Sequence, residues 1–124
     1  MTNKKPAILV IEDDHAILSV IVEILNTEGY EVYQATNGQI GFDILEKKKN
    51  LCLILVDLIM PVLDGFDFIK KINELKRSNL KIASIPVVVM TAMPVSKEMP
   101  VTKIIKKPIN LDSFLNVVEG FCSN

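Results

Sequence analysis

The sequence predicts an α/β protein with a doubly wound five-stranded parallel sheet flanked by helices. Two observations carry the prediction. Short runs that are apolar throughout alternate with longer segments whose apolar residues recur at helical spacing, and Gly and Pro punctuate the alternation. Strands without polar alternation are buried on both faces, which is the condition of a parallel sheet whose right-handed crossovers lay helices on either side. The chain of 124 residues suits one domain, so 1–124 is read as a single unit.

Ala7 to Ile11 is the first apolar run. From Asp14, a suitable N-cap, the residues Ile17, Leu18, Ile21, Ile24 and Leu25 follow helical spacing until Gly29 stops the helix. Glu31 to Ala35 reads as a second strand, and Asn37 to about Lys48 as a second helix with Gly41, Ile44 and Leu45 inward. Cys52 to Val56 is apolar again and delivers Asp57. A loop closing at Asp64 and Gly65, with Gly65 free to take positive φ, precedes a third helix marked by Phe68, Ile69, Ile72 and Leu75. Ile85 to Met90 is the fourth strand and Thr102 to Ile105 a weaker fifth. Leu111, Phe114, Leu115, Val118 and Phe121 mark the last helix.

Composition excludes several classes of function. Lys plus Arg number 14 against 15 Asp plus Glu, so no net field draws the chain to nucleic acid or to an anionic membrane. No apolar stretch is long enough to span a bilayer, and the first one ends at Glu12, too early for a signal peptide. The expectation is a cytoplasmic protein with no direct nucleic-acid or membrane partner. Cys52 and Cys122 are read as separate thiols, Cys52 as core filling, since two cysteines do not make a disulfide framework.

Doubly wound sheets bind ligands beyond the carboxyl ends of their strands. Those positions hold Glu12, Asp13 and Asp14, then Asp57, then Thr91 and Ala92, then Lys106 and Lys107 before Pro108. Carboxylates gathered there repel one another unless a cation is present, and a hard divalent ion with oxygen ligands meets that need. Magnesium is expected, with Asp13 and Asp57 as ligands, Glu12 as an outer carboxylate and the Ile59 backbone carbonyl as a further oxygen. Asp57 can then act as a nucleophile toward a phosphoryl group, whose charge magnesium, Lys107 and Thr91 would neutralise.

The runs Ile8 to Asp14 (ILVIEDD) and Asp57 to Gly65 (DLIMPVLDG), followed by Thr91-Ala92 and Lys107-Pro108, resemble the receiver domains of two-component response regulators, the CheY-like members of the flavodoxin-type fold. Four motifs in order, each at a strand end, make the resemblance specific. It implies that Glu12 and Asp13 hold the metal and that Asp57 accepts phosphate from a sensor histidine kinase or phosphotransfer protein. It implies also that Thr91 bonds the phosphoryl oxygen, that Lys107 pairs with it, that the Lys107-Pro108 bond is cis, and that a downstream protein partner reads the switched surface. No enzymatic turnover is implied beyond the domain's own phosphorylation and dephosphorylation.

Taken singly, these residues have plainer roles. Asp14 suits a solvated helix start, His15 an exposed first turn, and Lys47, Lys48 and Lys49 a solvated helix end. Only the co-occurrence of Asp13, Asp57, Thr91 and Lys107 favours a site.

The chain also departs from the family pattern. Sixteen positions separate Thr91 from Lys107, with Pro94 and Pro100 between them. A helix-interior proline costs about 3 kcal/mol, so a helix between the fourth and fifth strands should be shortened or absent. Ile104 stands where the family commonly has an aromatic that swings inward on activation. Ile59 and Met93 are bulky and apolar, and are expected to slow autodephosphorylation by hindering water. A dehalogenase-like phosphatase is disfavoured because its second acid would fall at Ile59. The remaining alternative is a receiver-like interaction module that signals without phosphate.

Overall fold

The computed structural model describes residues 6–48, 50–58, 65–94 and 99–122. Strands β1 (Ala7–Ile11), β2 (Glu31–Ala35), β3 (Leu51–Asp57), β4 (Val87–Thr91) and β5 (Lys103–Lys106) form one parallel sheet in the order β2-β1-β3-β4-β5. This is the flavodoxin-like order, whose direction of winding reverses between β1 and β3. The helices are α1 (His15–Thr27), α2 (Gly38–Lys47), α3 (Gly65–Lys76), α4 (Leu80–Ala83) and α5 (Leu111–Cys122). None of the described helices is long and apolar enough to cross a membrane.

Strand alternation divides the core in two. Leu9, Ile11, Ile54, Val56, Val87 and Val89 face α2 and α3, meeting Phe42, Leu45, Phe68, Ile69 and Ile72. Ile8, Val10, Leu53, Leu55, Val88 and Met90 face α1 and α5, meeting Leu18, Ile21, Leu25, Phe114 and Val118. Hence β1, β3 and β4 carry no polar alternation, whereas the edge strands β2 and β5 expose Glu31, Gln34, Lys103 and Lys106. The same parity points Glu12, one step past β1, and Asp57, last in β3, to the α1/α5 side.

The expected caps are present. Asp14 accepts hydrogen bonds from the N–H groups of Ala16 (2.9 Å) and Ile17 (3.1 Å), Asn37 caps α2, and Gly29 ends α1 at φ 92°. His15 is the exposed first residue of α1. The cis Lys107-Pro108 bond is also found.

Five readings need correction. First, Cys52 and Cys122 are not separate thiols but a disulfide, with Cα atoms 5.4 Å apart. The buried stripe of α5 is Phe114, Val118 and Cys122, spaced by four, and its last member reaches the start of β3. Second, Phe121 is accordingly 37% exposed and Leu111 48% exposed, instead of lying in the core. Third, a helical turn absent from the sequence reading forms at α4, where the Asn79 side chain caps Lys81 and Ile82. Fourth, Ile85 precedes the fourth strand, which extends instead through Thr91. Fifth, Gly65 does not take positive φ.

Gly65 is needed for space. Its N–H donates to the Leu58 carbonyl at 2.9 Å, and a Cβ there would collide with the Asp57 carbonyl oxygen and Leu58 Cα. The start of α3 is thereby pressed onto the end of β3.

Between β4 and β5 the described residues contain no helix. The returning chain runs down β4 instead: Thr102 N–H donates to the Val87 carbonyl and Thr102 Oγ1 accepts from Val87 N–H. Met99, Val101 and Ile104 cover the α2/α3 face there, and Asn73 of α3 donates to the Pro100 carbonyl. The shortened crossover expected from Pro94 and Pro100 is met, with residues 95–98 outside the described part.

Since the neighbours of a Gly65 Cβ are backbone atoms, they cannot rotate away. Gly65→Ala should lower stability in urea denaturation by about 1–3 kcal/mol, as overpacking does. An unchanged midpoint would contradict the close approach.

Candidate functional site

β1, β3, β4 and the turn after β5 end on the same side of the sheet, so residues far apart in sequence meet there. Glu12 leaves β1 with its N–H bonded to Ala35 of β2, and its side chain turns inward to 0% exposure. Asp57 closes β3 at 7% exposure, and Thr91 closes β4 fully buried. Lys107 follows β5, its N–H donating to the Thr91 carbonyl at 2.8 Å. That bond ties the turn that carries Lys107 inward, while Lys106 stays exposed.

The side chains converge. Lys107 Nζ lies 2.8 Å from Glu12 Oε1 and 3.5 Å from Asp57 Oδ2. Carboxylate oxygens of Glu12, Asp13 and Asp57 lie within 4.8 Å of one another. Asp13 is half-buried, and Asp14, spent on the α1 cap, points outward. Of the predicted site residues, Glu12, Asp13, Asp57 and Lys107 therefore meet in one cluster. Thr91 borders it, one residue beyond the Asp57–Met90 register pair. Its Oγ1 accepts from Met93 N–H at 3.0 Å. Ile59 lies outside the described residues.

Burial strips water from the Glu12 carboxylate and pushes its pKa from 4.5 to about 7. The Lys107 hydrogen bond opposes this rise, and neighbouring Asp57 adds to it. For Lys107, burial alone would favour loss of the proton, but Glu12 and Asp57 outweigh it and its pKa rises. Among the described residues, three carboxylates gather around one ammonium. Closely spaced oxygen donors with excess negative charge, in a site open at Asp13, are the donor set a hard divalent cation takes.

Sequence reasoning missed two features around this cluster. Glu12, expected as an outer carboxylate, is the group in hydrogen-bond contact with Lys107, which no local pattern reveals across 95 residues. Beside Lys107 and Pro108 lies an apolar groove of about 440 Å³ between α1 and the loop entering α5, lined by Ile17, Val20, Ile21, Ile109 and Leu111. Val20 is 55% exposed, and its signal was available: an apolar residue off the buried stripe of α1.

The Glu12 shift predicts a pH dependence. An acid whose folded pKa is raised holds its proton more tightly in the folded state, so stability falls as pH climbs from about 4.5 to about 7. In metal-free buffer this should appear as a loss on the order of 1–3 kcal/mol, and Glu12→Gln should flatten it. Chemical denaturation across that window checks this. An identical slope in the variant would contradict the assignment.

Comparison with known proteins agrees with this geometry. The response regulator receiver domain model matches residues 8–119. The chain is 30% identical to sporulation initiation phosphotransferase F of Bacillus subtilis, over 98% of this chain and 95% of that protein. It is 33% identical to probable transcriptional regulator ycf29 of Porphyra purpurea, but spans only 41% of that protein. Among solved structures, Vibrio cholerae chemotaxis protein CheY4 superposes with a TM-score of 0.82 at 23% identity, over 94% of this chain and 98% of that one. The receiver domain of Saccharomyces cerevisiae Ssk1, solved with the histidine phosphotransfer protein Ypd1, gives 0.83 at 22% identity, over 98% and 91%. With its acid cluster, inward lysine and cis Lys-Pro turn at the ends of a 2-1-3-4-5 sheet, the chain belongs to the response regulator receiver family.

Proposed function

We propose that the chain is a phosphorylation switch in a two-component phosphorelay, with Asp57 as phosphoacceptor. The observation that carries this reading is the position of Lys107 Nζ between Glu12 and Asp57, at 2.8 and 3.5 Å, beside three converging carboxylates. A carboxylate oxygen of Asp57 attacks the phosphorus of a phosphohistidine or small acyl phosphate. The P–N or P–O bond to the donor breaks, and the donor leaves with the electron pair. Lys107 turns from Glu12 toward the phosphoryl oxygens, and the Thr91 hydroxyl donates to one of them. Asp13 and Asp57, with Glu12 beside them, would hold a magnesium ion, which when bound would supply positive charge to the crowded acids and the phosphoryl group. The Ile59 backbone carbonyl, outside the described residues, is the further oxygen expected from the sequence. The chain is an acceptor rather than a turnover enzyme.

The donor must reach Asp57 past Lys107, so its docking surface adjoins both. The groove along α1 satisfies this: it is apolar, open, and shares Lys107 and Pro108 with the site. A histidine kinase or phosphotransfer protein is its occupant in this reading, as Ypd1 is a partner of Ssk1. A downstream protein then reads the segment after Thr91, whose turn depends on the hydroxyl that phosphate would recruit. Ile104, half-buried against the same core cluster as Met99 and Val101, cannot report phosphorylation by an aromatic swing, so the Thr91 turn carries the change. That rebuilt segment is also what favours a second reading, a phosphate-independent interaction module.

Incubation with magnesium and acetyl phosphate separates the two. Intact mass should show one added phosphoryl group on the wild type and none on Asp57→Ala, with labelling of Lys107→Ala slowed on the order of a hundredfold. Equal behaviour of wild type and Asp57→Ala would favour the phosphate-independent module. Val20→Glu should cut transfer from a histidine-phosphorylated donor protein by about tenfold while leaving acetyl phosphate labelling within about twofold. A parallel fall in both would remove the docking assignment.

A further inference from the structure

The Cys52–Cys122 disulfide lies at the opposite end of β3 from Asp57 and has no part in the phosphoryl chemistry. We propose that it is a redox modification site, a thiol–disulfide pair through which a dithiol reductant releases the last turn of α5 from β3. Three observations converge on it.

The first is the intrinsic weakness of that turn. Gly120 sits in it with open space on its Cβ side, Phe121 points to solvent, and helix-interior glycine is unfavourable. Cys122 is the buried side chain of the turn, so the bond to Cys52 is what fastens it. The second is position. Cys122 is fully buried, whereas Cys52, on β3 with its sulfur 3.4 Å from the Ala7 carbonyl oxygen, is half-buried and is the more exposed of the pair. The third is leverage. The fully buried residues of α5 are Phe114, Val118 and Cys122, with Leu115 and Val117 partly buried beside them, and the same helix carries Leu111 and Phe114 into the groove beside Lys107.

The exchange balances with a dithiol as co-reactant. One thiolate of the reductant attacks Cys52 Sγ and expels the Cys122 thiolate, which takes up a proton. The reductant's second thiol then displaces Cys52 from the mixed disulfide. Two electrons and two protons pass to the protein, and the reductant becomes a disulfide. Phe114 and Val118 still hold the first turns of α5, so the helix end loosens while the sheet stays folded.

The test uses the full chain equilibrated with oxidised or reduced dithiothreitol, then acid-quenched and alkylated for intact mass, with hydrogen exchange run on the same samples. Oxidised protein should take up no alkyl group and reduced protein two. Reduction should speed exchange at residues 117–122 by about tenfold and change β1 and β3 by less than about threefold. Two alkylatable thiols in the oxidised sample would overturn the proposal, as would equal exchange of α5 in both states or global unfolding on reduction. The double variant Cys52→Ser, Cys122→Ser should match reduced wild type and ignore the redox buffer. Should that variant fold poorly, reduced wild type itself gives the comparison. Asp57→Ala should respond as wild type does, so the outcome is independent of whether Asp57 accepts phosphate.

Discussion

The electrostatic shortage at the strand ends is the constraint on which the site depends. Folding buries Glu12 completely and brings Asp57 and Asp13 beside it, with Lys107 as the cation in contact. Burying charge is unfavourable unless it is paired, so an arrangement with surplus carboxylate persists only because the rest of the fold over-determines it. The apolar strands β1 and β3, the Lys107–Thr91 backbone bond and the close seat of Gly65 all act in that way. The result is a region whose charge state a cation, a proton or a phosphoryl group can alter.

The two faces of the sheet divide the labour. On the α1/α5 side, the parity of β1 and β3 presents Glu12 and Asp57 to Lys107, and the groove opens next to them. On the α2/α3 side, Met99, Val101 and Ile104 replace a full crossover helix between β4 and β5. A surface covered by a short segment and the Thr91 turn can rearrange at lower cost than one covered by a packed helix, since fewer apolar contacts must be broken.

Much of this was legible in the sequence because it is local or periodic. The apolar runs, Asp14 and Asn37 as caps, and Gly29 as a stop follow from short-range rules, and strand ends are found once strands are found. What was illegible depends on helical phase and on contacts across the fold. Assigning Phe121 rather than Cys122 to the buried stripe of α5 hid the disulfide, since a shift of one residue turns a side chain by about 100°. The Glu12–Lys107 contact joins residues 95 positions apart. Gly65 carried a turn signal, but its cause is the backbone of β3 pressed against it. The turn at α4 was missed because its four residues are too few for a periodic pattern.

If Glu12, Asp13, Asp57 and Lys107 act as one charge-coupled unit, a magnesium titration followed by amide NMR should give saturable shifts confined to residues 12–14, 57–58 and 107, abolished by Asp57→Asn and weakened by Glu12→Gln. Shifts scattered over other acidic surfaces, or a binding curve indifferent to both substitutions, would contradict it.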